Sequence, residues 1–133
     1  MGVTISHSKP DIFDECEKEF GISWENTIFA VDNHIHTKYT VGYDVIEHEL
    51  VHIKQQRDIG GQEIWWDIYF KHPPQRLDWE LEAYRHQYQF LKKKNTLNKD
   101  QLFKVVSFWA RNLSSKVYGN LIGLNEAIKE ITK

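Results

Sequence analysis

The sequence predicts an α+β protein in which a small antiparallel sheet or hairpin packs on a helical layer. Three observations lead there. β-branched and aromatic residues concentrate between Asn26 and Val41, apolar residues at helical spacing dominate after Asp44, and strand-like and helix-like segments are segregated rather than alternating. The 133 residues suit one compact domain. We read a single unit over 1–133, with a motif-bearing core over about 10–95 and a C-terminal helical extension over about 96–133.

The elements follow in order. In PDIFDECEKEF, Pro10 to Phe20, residues Ile12, Phe13, Cys16 and Phe20 recur at helical spacing before Gly21 stops the run, which predicts a short amphipathic helix. Thr27, Ile28, Phe29, Val31, Ile35, Thr37, Tyr39 and Val41 then predict two strands around a turn at Asp32-Asn33. From Asp44 to about Arg57 the pattern is helical, closed by Gly60-Gly61. Gln62 to Lys71 predicts a second helix, ended by the His72-Pro73-Pro74 breaker. Asp78 is placed to cap a long helix through Lys94, and Asn98 to cap another through about Leu113. A last short helix is expected over Asn125 to Ile131.

Composition narrows the function classes. A net charge of -2, with acids and bases mixed along the chain, gives no electrostatic reason to expect nucleic acid or an anionic membrane as partner. The basic run Lys92-Lys93-Lys94 falls where cations complement a helix C-terminus. An aromatic content of 14% excludes a disordered chain. The single Cys16 excludes an internal disulfide framework, so a metal site must draw on histidine and carboxylate. With no apolar run long enough to span a bilayer and no signal-like start, the expected location is the cytoplasm, or the host cytoplasm for a phage-encoded chain.

The chemistry-bearing stretch is YDVIEHELVHIKQQ, Tyr43 to Gln56. On a helix His48 and His52, one turn apart, share a face and can reach one ion. Zinc accepts imidazole nitrogen, and its catalytic sites take three protein ligands and leave a fourth place open. Glu49, beside the first histidine, is suited to take a proton from water and pass it to a leaving amine. Given seven His in this chain, the pattern would arise by chance roughly 0.03 times. Ile46, Leu50 and Ile53 form an apolar stripe nearly opposite the histidines, while Val45 flanks the histidine side and Val51 lies between. Such a helix is buried between layers, where unpaired imidazoles would be costly.

A third ligand must come from another element, and Glu80 and Glu82 compete for the role. Leu77, Leu81, Tyr84, Tyr88 and Leu91 form the apolar stripe of the long helix. Glu80 projects roughly 60° from its centre and Glu82 roughly 140°, among Asp78, Arg85, His86 and Gln89. Periodicity therefore favours Glu80 as the ligand and assigns Glu82 to the solvated face.

HELVHIKQQ followed by ELEAY, Glu80 to Tyr84, resembles the gluzincin metallopeptidases, in particular the compact single-domain minigluzincins, and also small HELxHxxQQ domains of bacterial and phage-associated proteins. The resemblance covers roughly residues 10–95. It implies a Zn2+ cofactor held by His48, His52 and Glu80, Glu49 as general base, and a peptide or protein substrate. It also implies a substrate-pairing edge strand, for which the candidate is Asn33 to Lys38 with His34 and His36 on one side. Tyr69, His72, Tyr84 and His86 are the candidates for an oxyanion-stabilising or ligand-supporting role. Two departures stand out. Tyr84 occupies a position where many gluzincins carry an aspartate that orients a ligand histidine. The segment between His52 and Glu80 is longer than in the shortest relatives and contains Trp65-Trp66, which we read as core. The rival readings are a non-catalytic zinc-binding structural or interaction module, and a metal-free binding protein using aromatics such as Trp79.

Overall fold

The computed structural model describes residues 2–133, which form two compact units, the first ending at Asp67 and the second running Ile68–Lys133. The α+β class is the one predicted: among the described residues there are six α-helices and one three-stranded sheet. None of these helices is long and apolar enough to cross a membrane.

The first unit opens with β1, Thr4–Ser6, followed by α1, Phe13–Phe20. Gly21 ends α1 at φ 63°, a left-handed value that glycine adopts without a Cβ clash. After a 3-10 turn at Trp24–Asn26 come β2, Phe29–Val31, and β3, His34–His36. They pair antiparallel with Val31 opposite His34, so Asp32-Asn33 forms the predicted turn, Asp32 taking φ 54°. The sheet is mixed rather than antiparallel throughout, because β1 joins β3 in parallel with Ile5 opposite Ile35. A three-residue strand with Ile5 exposed carries too little pattern to be read in advance.

The strand order β1-β3-β2 corrects one expectation. β3, which carries His34 and His36, is the central strand, its backbone engaged by a neighbour on each side. It has no edge to offer an extended peptide; the edges belong to β1 and β2.

The motif helix α2 runs Tyr43–Ile59, slightly longer than expected. Gly60, at φ 110°, closes it: its N–H donates to the Arg57 carbonyl (3.3 Å) and that of Gly61 to the Gln56 carbonyl (2.7 Å), the reciprocal pattern of a Schellman end. The stripe Ile46, Leu50 and Ile53 packs with Ala30 and Ile35 of the hairpin, as its spacing predicted. Gln56 adds a polar clip. Almost wholly buried, it donates through Nε2 to the Ala30 carbonyl (2.6 Å) and accepts from the Asp32 amide at Oε1 (3.0 Å). Phe13, Trp24, Phe29 and Trp66 form an aromatic cluster, with ring centroids 5.8–6.3 Å apart in the packed pairs. Trp65 and Trp66 are both buried, in keeping with core packing.

α3, Gln62–Lys71, has the predicted bounds, and the division between the units falls within it. α4 runs Pro73–Lys94, starting five residues before the expected cap at Asp78. Proline at the first helical positions loses no intrahelical hydrogen bond and brings a helical φ, so Pro73-Pro74 breaks one helix and begins the next. α5, Lys99–Leu113, begins at the predicted Asn98, whose side chain accepts from the Gln101 amide (2.8 Å) while Gln101 accepts in return (2.9 Å). A 3-10 turn at Lys116–Tyr118 leads to α6, Leu124–Ile131. Leu77, Leu81, Tyr84, Tyr88 and Leu91 of α4 pack with Val106, Trp109, Ala110 and Leu113 of α5 and Ala127 and Ile131 of α6.

The Gln56 clip gives a stability test. Gln56→Leu keeps most of the volume and leaves two backbone groups of the hairpin without their partner, a loss of about 1–3 kcal/mol. Urea denaturation measures it, and an unchanged midpoint would show that the clip contributes nothing.

Candidate metal centre

Two turns of α2 set the geometry. With its apolar stripe committed to the hairpin, the helix presents His48, Glu49 and His52 from the rest of its circumference. All three are buried, at 6%, 6% and 4% exposure. The two imidazole Nε2 atoms define the site: those of His48 and His52 lie 3.2 Å apart. Glu49 Oε2 lies 3.8 Å from His48 Nε2. The imidazole rings meet edge to face, with centroids 4.9 Å apart.

His48, Glu49 and His52 thus form a buried group that could hold a metal ion. Nitrogens 2.0–2.1 Å from a tetrahedral ion would lie about 3.3 Å from one another, close to the separation found. The donor set is imidazole and carboxylate, as the lone Cys16 required; that thiol is buried in α1, and burial pushes it up to about 12.

Support for His52 comes from a residue whose role spacing alone did not reveal. His52 Nδ1 donates to Gln55 Oε1 (2.9 Å), and Trp65 Nε1 donates to the same oxygen (3.3 Å). The indole ring lies against the imidazole, with centroids 5.1 Å apart. Gln55 stands three residues after His52 on the same helix face, and that spacing was the available signal.

The second unit carries most of the remaining candidates. Glu80 is 7% exposed, and the Tyr69 hydroxyl donates to its Oε2 (2.5 Å). Arg76 fixes this corner: its guanidinium donates to the Tyr69 carbonyl and, through Nη2, to that of Val117 (2.5 Å). Glu82 is exposed, as its angle predicted. His72, just before α4, and His86, on α4, are exposed too. Tyr84 is half-buried, its ring stacked on Trp109 at 5.0 Å. In the sheet, the His34 and His36 rings share one side, with centroids 6.2 Å apart, and His36 Nδ1 donates to the Ser8 carbonyl (2.9 Å).

No family model, curated protein or solved structure matches this chain. The case for function therefore rests on the residues themselves.

Burial, followed by the neighbouring Glu80 carboxylate and Tyr118, holds the Tyr69 phenol well above the usual phenolic range. A raised folded-state value means that Tyr69 contributes stability fully below its unfolded value of about 10 and loses it as pH rises further. Unfolding free energies measured across pH 9 to about 11 should fall less steeply in Tyr69→Phe than in the parent. Equal slopes would show that this phenol does not resist ionisation.

Proposed function

We propose that the chain is a zinc-dependent metallopeptidase of the gluzincin type, acting on a peptide or protein substrate. The observation that carries this reading is the 3.2 Å approach of two buried imidazole Nε2 atoms with a buried carboxylate 3.8 Å from one of them. A structural pair of histidines needs only hydrogen-bond partners, whereas hydrolysis needs a general base at the same place, and Glu49 supplies it.

His48 and His52 would hold the ion, with Glu80 as the third protein ligand. The support for Glu80 is its ExxA position in the sequence, its angle on α4, and the burial of a carboxylate hydrogen-bonded by Tyr69. Zinc, when bound, supplies a Lewis acid that polarises a scissile carbonyl and makes water more acidic. Glu49 then takes the water's proton and returns it to the leaving amine. Tyr69 holds one Glu80 oxygen, which restricts that carboxylate's rotation.

Zinc content and peptide cleavage test the reading together. Wild type and Glu82→Ala should each retain zinc through dialysis, while His48→Ala loses it and Glu80→Ala binds it more weakly. Glu49→Gln should keep zinc and cleave a mixed peptide pool about a hundredfold or more slowly than wild type. A metal-replete wild type without zinc would remove the metal reading. Zinc binding with no cleavage by wild type would point to a non-catalytic zinc module instead, and equal cleavage by Glu49→Gln would remove Glu49 from the chemistry.

A further inference from the structure

A histidine binds a metal through a nitrogen that carries no proton, so a ligand pair needs its tautomers set as well as its positions. For His52 the donor-only chemistry of a neighbour settles which nitrogen that is. The indole N–H of Trp65 can give a hydrogen bond but never accept one, so the end of the Gln55 amide 3.3 Å from it must be the carbonyl oxygen. That oxygen has a second lone pair, and His52 Nδ1 lies 2.9 Å from it. An amide oxygen cannot donate, so Nδ1 must carry the hydrogen. In neutral imidazole the proton is then absent from Nε2, the atom facing His48 Nε2 at 3.2 Å.

We propose that Gln55 and Trp65 are positioning residues that hold His52 in the Nδ1-protonated tautomer, presenting Nε2 as a ready metal ligand. The proposal rests on the zinc reading for its purpose but not for its geometry. Each member has one part. Trp65, 2% exposed and packed against the imidazole, fixes the amide's orientation; Gln55, 8% exposed, passes that orientation to the ring; His52, 4% exposed, responds with its tautomer. The indole donor selects the amide oxygen for this position; an amide turned to offer its NH2 to Nδ1 would move the proton to Nε2 and block the metal-facing atom. Burial sharpens the choice, since a mismatched pair here would leave polar atoms facing one another with the wrong polarity.

The test reads tautomers directly and then affinity. Long-range proton–nitrogen correlation spectra of the zinc-free wild-type protein, near neutral pH, should show His52 with Nδ1 protonated and Nε2 bare. Trp65→Phe, which keeps an aromatic ring and removes the N–H, should shift His52 towards the Nε2-protonated form. In competition titrations with zinc alone, Gln55→Leu and Trp65→Phe should each bind the ion about 10–100-fold more weakly. Gln55→Glu, an obligate acceptor at the same position, should restore the Nδ1-protonated form and at least wild-type affinity. A protonated Nε2 on His52 in the wild type, or undiminished affinity in a folded Gln55→Leu, would overturn the proposal. A wild type that binds no zinc would instead overturn the metal reading, and the tautomer spectrum would still decide the role of Gln55 and Trp65.

Discussion

A helix buried on more than one side has to satisfy different chemistries around a single axis, and α2 divides them by angle. Ile46, Leu50 and Ile53 meet the apolar side of the hairpin, while His48, Glu49 and His52 occupy the other directions and are buried as well. Polar groups removed from water must find partners, because each one left unmatched costs more than an ordinary hydrogen bond returns. The first unit is organised around meeting that requirement. Gln56 ties the helix to the hairpin, Gln55 and Trp65 serve His52, and the two imidazoles face one another across a gap of the size an ion would bridge.

The consecutive glutamines after the motif divide the work. Gln55 points to the histidine side and Gln56 to the sheet, 100° further round the helix. One bonds the His52 ring, the other holds the helix to the hairpin. Their adjacency means that the element holding the hairpin in place also fixes the registry of the site. The hairpin turn at Asp32, with its left-handed backbone, is met by Gln56, so turn, sheet and motif helix form one connected arrangement.

Much of this was legible in the residues, for physical reasons that differ by element. Helices came through well because apolar periodicity and end signals agree: Gly21 and Gly60 close α1 and α2, and Asn98 with Gln101 opens α5. The burial of Glu80 and exposure of Glu82 followed from angle alone. β1 was hidden because its three residues owe their conformation to pairing with β3, and that same pairing turned the expected edge strand into the central one. α4 begins ahead of the expected cap because Pro73-Pro74 both stop one helix and fit the first positions of the next. α4 also buries a second stripe, Arg76, Glu80, Ala83 and Gln87, which hydropathy overlooks because three of its members are polar. The His52–Gln55 pair follows from local spacing, but the Trp65 bond to Gln55 depends on where Trp65 falls, which is a matter of tertiary packing and not of local pattern.

A metal site in the HELVH turn of α2 differs from a hydrogen-bonded histidine pair in what surrounds an added zinc ion. Zinc-edge X-ray absorption of the zinc-loaded protein addresses it most directly. A metal site here should give scattering from two imidazole rings, with nitrogen and oxygen ligands at about 2.0–2.1 Å and no sulfur, and should lose the imidazole signature in His48→Ala. Zinc surrounded by oxygen alone, or a spectrum unchanged by His48→Ala, would contradict it.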